Sequence, residues 1–465
     1  MPANLRRTHL VGVGGAGMSG IARMLLARGA EVSGSDVKDS RVLHVLAAAG
    51  AQITVGHDAR NVGNVDCVVA STAIRPGNPE IDEATRRGIP VLPRAAALAA
   101  LMEGYRDVAV AGTHGKTTTT SMLTVALQHC GADPAFVIGG SLNEAGSNAH
   151  AGTGDVFVAE ADESDSSFLL LRPHLAIVTN VEWDHLDHFR TPADVAAAFS
   201  DFVGRVRNGG GVVLCADDPG ARRLEEVARM RGLRVTTYGQ APDADLRLLD
   251  IALHSSGSRA TVVARGRTVG ELTLRLPGLH NVSNAAGALG AGLELGMPAV
   301  SLLAGLSAYS GVRRRFEAKG VADGVRVIDD YAHHPTEVAA TLRAARLVCG
   351  EGRVVVVFQP HRYSRTAAFA GELGRSLGLA DVVVVMDVYG AGEDALPGVS
   401  GAEVAQAVPL PPESVVFEPS WSRVAERAAG LVRRGDLVIT MGAGDVTQIG
   451  RELLDVLDML ADAGS

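Results

Sequence analysis

At 465 residues the chain is too long for one hydrophobic core, and two to four domains are expected. Its composition (47% hydrophobic, 20% charged, 55 glycines) excludes disorder and predicts α/β domains with many tight turns. Net charge is −9 with no basic block, which argues against nucleic acid as a main partner. No stretch reaches the ~18 apolar residues of a membrane span, and no secretory leader is evident. The scattered Cys67, Cys130, Cys215 and Cys349 suggest neither a disulfide framework nor a zinc site. A soluble, cytoplasmic protein is expected.

The first segment, 1–105, opens with an apolar strand over Thr8–Val13, a glycine turn (Gly12, Gly14, Gly15, Gly17) and a helix through Ile21–Ala27. A second strand, Glu31–Ser35, ends at Asp36, 19 residues past Gly17. A tight turn, close backbone approach to a pyrophosphate and an acid placed for ribose hydroxyls describe a dinucleotide fold. The physics specifies a pyrophosphate at a helix N-terminus with a sugar nearby, which NAD and a UDP-sugar both satisfy. Asp66–Ser71 and Ile89–Pro93 continue the βα pattern.

In the second segment, 106–312, strand Asp107–Ala111 leads into Gly112-Thr113-His114-Gly115-Lys116-Thr117-Thr118 and a helix. Strand, glycine turn, Lys-Thr and helix form a phosphate-cradling loop, with Val110 where the usual pattern has its first glycine. Of 43 basic residues only Lys38, Lys116 and Lys319 are lysines and 40 are arginines. A compact ammonium between phosphates is not replaceable by a planar fork, so Lys116 is read as chemical. Strand Asp155–Ala159 ends at Glu160, within a run of five acids placed to hold Mg²⁺. Strand Leu175–Thr179 runs into Asp184, His185 and His188, where His185 suits a metal ion or a phosphate. Thr191-Pro192 opens a helix, and no motif stands out in 208–275. Asn281 and Asn284 either face an adenine edge or, for Asn281, cap the helix that follows.

The third segment, 313–465, begins with Arg313-Arg314-Arg315 at a hinge. Four strands then end in polar clusters: Asp329-Asp330-Tyr331 with His333 and His334, Gln359 with His361, Arg362 and Arg365, Asp387 with Tyr389, and Gly442 with Asp445. In an open parallel sheet that edge binds ligands.

Together these motifs resemble the Mur ligase family over nearly the whole chain. The resemblance rests on GVGGAGMSG at Gly12–Gly20, GTHGKTTTT at Gly112–Thr120, EADESD at Glu160–Asp165 and TNVEWDHLDHF at Thr179–Phe189. HNVSNAAGA at His280–Ala288, RRFE at Arg314–Glu317, DDYAHHPTEV at Asp329–Val338 and FQPHRYSRT at Phe358–Thr366 complete it. It implies three α/β domains: a Rossmann-like UDP-binding domain, a central P-loop ATPase-type domain and a Rossmann-like C-terminal domain. It also implies an ATP-dependent, amide-forming ligase of the branch that adds L-alanine to UDP-N-acetylmuramate, with the tripeptide-adding branch as nearest competitor.

By that resemblance Gly112–Thr118, with Lys116 at its centre, would cradle the ATP phosphates. Thr117 and Glu160 would hold one Mg²⁺ and His185 a second, with Mn²⁺ able to replace them. Asn281 and Asn284 would meet the adenine, and Arg315 and Asp330 would contact ATP across the cleft. Gly14, Gly15, Ala16, Gly17, Met18 and Ser19, with Asp36 and Ser71, would hold the UDP moiety. Tyr331, His333, His361, Arg362 and Arg365 would handle the substrate carboxylates and L-alanine. Lys116, Glu160, His185, Arg315 and Asp330 form the implied catalytic set, and a monomer or weak homodimer is expected. Several family members carry a carbamylated lysine after the histidine of the DH motif; here no lysine lies between Lys116 and Lys319, which fits the alanine-adding branch.

Overall fold

Three mainly parallel sheets follow one another along the chain in a computed structural model that describes residues 4–143 and 146–463. The first sheet comprises β1 (Arg7–Val11), β2 (Glu31–Asp36), β3 (Gln52–Val55), β4 (Cys67–Ala70) and β5 (Val91–Pro93), in the order β3-β2-β1-β4-β5. Strand order reverses between β1 and β4, and chain leaving their carboxyl ends carries Gly12 and Ser71 into the crevice there. The helix Ala16–Ala27 follows directly on its N-cap Gly15, earlier than the apolar pattern alone marks it.

The second sheet holds β6 (Arg106–Ala111), β7 (Ala135–Val137), β8 (Ala149–His150), β9 (Val156–Glu160), β10 (Leu175–Val178), β11 (Gly211–Cys215) and β12 (Arg234–Gly239). It ends in an antiparallel meander, β13 (Leu246–His254), β14 (Gly257–Ala264) and β15 (Arg267–Leu274). Its order, β15-β14-β13-β12-β11-β10-β6-β9-β7-β8, places β6 between β10 and β9. The turn after β6 is thereby flanked by the acid at the end of β9 and the Asp-His loop after β10. β6, β9 and β10 read as near-continuous apolar runs because helices cover both faces of the sheet.

The third sheet has β16 (Glu317–Ala322), β17 (Val325–Asp330), β18 (Val354–Phe358), β19 (Val382–Val385), β20 (Val415–Phe417) and β21 (Leu437–Met441), ordered β16-β17-β21-β18-β19-β20. Residues of β18 alternate between two clusters: Val354, Val356 and Phe358 pack on one face, Val355 and Val357 on the other. A single apolar cluster runs through the first two sheets, whereas the third packs on its own. Among the described residues no helix is long and apolar enough to cross a membrane.

Two helix starts decide local geometry. Thr191 caps Pro192–Arg205 in a capping box with Asp194. Leu279–Glu294 is capped by Gly278, so the capping alternative for Asn281 is overturned: Asn281 lies in the first turn, and its amide donates to the Pro277 carbonyl (2.8 Å).

Candidate active site

Gly112 and Gly115 both have positive φ (136° and 83°). A Cβ at Gly112 would overlap Thr179 Oγ1, and one at Gly115 would lie 2.5 Å from Asn284 Oδ1. The turn therefore requires glycine for conformation and for space. It delivers Lys116 to the start of a helix, where Nζ donates to the carbonyls of Gly112 (2.7 Å) and Thr113 (3.2 Å) and to Glu163 Oε1 (2.8 Å). Burial opposes the ammonium charge, but Glu163 and Asp162 hold the Lys116 pKa above its ordinary value. The His114 N–H donates to Asn180 Oδ1 (2.8 Å) and the Thr113 hydroxyl to the Glu182 carbonyl (3.1 Å), which fixes the turn against β10.

Glu160, at the end of β9, accepts from the Gly139 N–H (2.8 Å) and from Thr117 Oγ1 (3.2 Å). Burial raises its pKa, the mark of a carboxylate short of positive charge. His185 sits in left-handed backbone (φ 53°), its N–H bonded to Asp184 Oδ1, and its Nε2 lies 3.3 Å from Glu163 Oε1. Glu163 is 1% exposed; its Oε2 and His185 Nδ1 are buried without a hydrogen-bond partner. Orphaned oxygen and imidazole beside a Thr-Glu pair are a donor set that fits divalent cations.

The third sheet closes the cleft from the other side. Asp330 accepts from the N–H groups of Phe316 and Ala332 (both 2.8 Å) and from Thr341 Oγ1; burial pushes its pKa up to about 6. The Arg315 guanidinium lies 5.0 Å over the Tyr331 ring and 3.9 Å from Glu337 Oε1. A cavity of about 150 Å³ lies between the two sides, lined in part by Gly115, Thr118, Asn281, Asn284, Arg315 and Asp330.

The expected substrate arginines point at carboxylates of the central domain. Arg365 grips Asp184 with Nε and Nη2 (2.8–3.0 Å), and both side chains are 4% exposed. Arg362, at φ 70°, reaches Asp187. Burial opposes charge on Asp184, yet Arg365 and His185 hold its carboxyl well below the usual range. His333 bonds the Tyr331 carbonyl through Nδ1 (2.9 Å), and burial holds its pKa down to about 3. His361 stacks on Tyr389 (5.6 Å, 11°), and burial lowers it to about 2.

At the first sheet, Asp36 Oδ2 accepts from the Gly14 N–H (2.9 Å), so the acid closes the glycine turn itself. Met18 and Ser19 are buried, and Asn148 reaches across from the second sheet to the Ala16 carbonyl (2.6 Å) and Ser19 Oγ. A Cβ at Gly12 would lie 3.1 Å from Ser71 Cβ, and one at Gly17 would meet the Arg94 guanidinium. Arg94 also binds Asp162 (2.8 Å), linking the first glycine turn to the acidic loop. Gly15 N-caps the helix Ala16–Ala27.

The sequence motifs give no role to Arg94, Glu182, Asp184 or Glu337. Arg94, Glu182 and Asp184 have partners in other segments of the chain that no local spacing marks, whereas Glu337 is the third residue of a capping box opened by His334.

Three family profiles match in chain order: "Mur ligase family, catalytic domain" at 7–106, "Mur ligase middle domain" at 110–292 and "Mur ligase, glutamate ligase domain" at 314–444. The UDP-N-acetylmuramate–L-alanine ligase of Acidothermus cellulolyticus is 58% identical over 454 residues, covering 97% of this chain and 95% of that protein. The chain belongs to the Mur ligase family. The ligase of the same name from Saccharopolyspora erythraea is 59% identical over 458 residues, with 97% and 93% covered. Among solved Mur ligases, the UDP-N-acetylmuramate–alanine ligase of Thermotoga maritima superposes with a TM-score of 0.81 at 28% identity, covering 98% of this chain and 99% of its own. A murein peptide ligase from Psychrobacter arcticus gives 0.72 at 26% identity, with 97% and 98% covered.

Proposed function

We propose that this Mur ligase joins the lactyl carboxylate of UDP-N-acetylmuramate to the amine of L-alanine, with ATP cleaved to ADP and phosphate, in peptidoglycan precursor synthesis. The observation that carries the reading is the cluster of Lys116, Glu160, Glu163 and His185 on the second sheet, beside a cavity whose walls bring Gly115 and Thr118 of the same loop to Arg315 and Asp330 of the third. Similarity to ligases of that name over nearly the whole chain supports it.

Amide formation in water needs an activated acyl group. A lactyl carboxylate oxygen attacks the γ-phosphorus of ATP, the bond to ADP breaks, and an acyl phosphate forms. The alanine amine then bonds to the carbonyl carbon and phosphate leaves. Two anions must first be brought together, so cationic groups are required at the meeting point. In this reading Lys116 and Arg315 answer that need from opposite walls, Gly112–Thr118 cradle the phosphates, and Asn281, Asn284 and Asp330 hold the nucleoside end. Thr117 with Glu160, and His185 with Glu163, would hold Mg²⁺, or Mn²⁺ in its place, which draws negative charge off the phosphate. Gly14–Ser19, Asp36 and Ser71 bind the UDP moiety, whose remote contacts supply alignment energy. Tyr331, His333, His361, Arg362 and Arg365 receive the substrate carboxylates and alanine. A third domain that closes excludes water from the acyl phosphate.

We set the domains at 1–105, 106–312 and 313–465, in keeping with the division of strands among the sheets. We place the enzyme in the cytoplasm as a monomer or weak homodimer; its four free thiols suit a reducing compartment. The purified chain, given ATP, Mg²⁺ and UDP-N-acetylmuramate, should release phosphate fastest with L-alanine and yield the alanyl product by mass spectrometry. Turnover with a preformed tripeptide and none with L-alanine would assign it to the other branch.

A further inference from the structure

In a cluster between the second and third sheets, Glu182 and His334 have no task in that reaction, and His114 belongs to the phosphate loop. His114 presents Nδ1 to Glu337 Oε1 (3.2 Å) and Nε2 to Glu182 Oε2 (3.3 Å). His334, the N-cap of helix Pro335–Cys349, presents Nδ1 to the same Glu182 oxygen at 3.7 Å. The imidazole centroids are 4.6 Å apart. One ligand atom from each of His114, Glu182 and His334 lies within 4.8 Å of the other two.

The 3.3 and 3.7 Å separations from Glu182 are close to a metal's needs. Tetrahedral zinc, with bonds of about 2.0–2.2 Å, sets its ligands about 3.4 Å apart. The Thr336 N–H lies 3.4 Å from His334 Nδ1, a long contact that the nitrogen's single lone pair would give up to an ion beside Glu182. The His334 Nε2 is buried without a partner. Glu337 beside His114 Nδ1 orients the ring, and an ion at Nε2 would displace the proton that faces Glu182, in a carboxylate–histidine–metal relation. Two imidazoles and one carboxylate suit zinc and its neighbours, whereas magnesium prefers oxygen alone.

We propose that His114, Glu182 and His334 bind a transition-metal ion of the Zn²⁺ class, which ties the third domain to the phosphate-loop turn. His114 belongs to that turn and His334 to the start of a third-domain helix, so the ion bridges bodies that must part for ligands to enter. Zinc would therefore hold the cleft shut and slow turnover. The inference rests on this geometry alone and stands apart from the assigned reaction.

The test uses the chelator-stripped full chain without nucleotide, titrated with Zn²⁺ against a chromophoric chelator and, in parallel, with Mg²⁺. One Zn²⁺ per chain should bind and raise the thermal midpoint, with no matching uptake of Mg²⁺. Affinity should fall by at least about tenfold in His334→Asn, which keeps a capping side chain, and in Glu182→Gln. Circular dichroism establishes that each variant is folded, and Glu182, one-third exposed, serves if the histidine variant is not. Absence of stoichiometric zinc binding, or binding unchanged in both folded variants, would overturn the proposal.

Discussion

Lys116 is the residue on which the phosphate chemistry turns, because its ammonium is held by two carbonyls of its own loop and by the buried Glu163. Those partners fix its position, so removing it deletes charge while leaving the loop's glycine geometry in place. Lys116→Ala should lower ATP turnover by about 10²–10³-fold or more while UDP-N-acetylmuramate binding, measured by calorimetry, persists. Loss of both together would contradict the division into two pockets. His114 carries the pH dependence at this scale. Burial opposes its charge, but Glu337 and Glu182 together hold its pKa up to about 9. A folded-state pKa above the unfolded one gives stability that is present below about pH 6.5 and is lost as pH rises through about 9. The thermal midpoint of the ligand-free protein should fall across that range, and His114→Asn should flatten the fall.

Among the elements, the turn between β6 and its helix is the least tolerant. Gly115→Ala would place a Cβ against Asn284 Oδ1 and force L-chirality into positive φ, a strain of about 1–2 kcal/mol before any repacking. Nucleotide affinity should drop together with the thermal midpoint, since Asn284 lines the cavity. Elements of this kind were legible in the sequence because their signals are local. The apolar run Asp107–Ala111, the glycines at 112 and 115, and Thr191-Pro192 each announce a strand, a turn or a cap within a few residues. Asn281 was ambiguous for the same reason: an asparagine near a helix start reads as a cap until Gly278 is seen to hold that position. The pairing of Arg365 with Asp184, 181 residues apart, and of Thr336 with Glu182, 154 apart, depends on how the sheets dock, and nothing in the local spacing encodes it.

Across the whole molecule, docking of the third sheet rests on few polar contacts, of which Asp184 with Arg365 is the most buried. Removing one member leaves the other charge without its partner, and breaking such a pair costs about 3–5 kcal/mol. Asp184→Ala should therefore loosen the docked arrangement, seen as a larger radius of gyration in solution scattering, and Asp184→Ala with Arg365→Met should recover part of it. Unchanged scattering in the single variant would show that apolar packing alone holds the domains together.

Capture of the terminal phosphate of ATP by the sugar acid, ahead of any amine, is followed most directly with oxygen-18 in the lactyl carboxylate of UDP-N-acetylmuramate. The account predicts that one labelled oxygen leaves in the released phosphate for each alanyl product formed. Phosphate free of label, or formation of AMP and pyrophosphate, would contradict it.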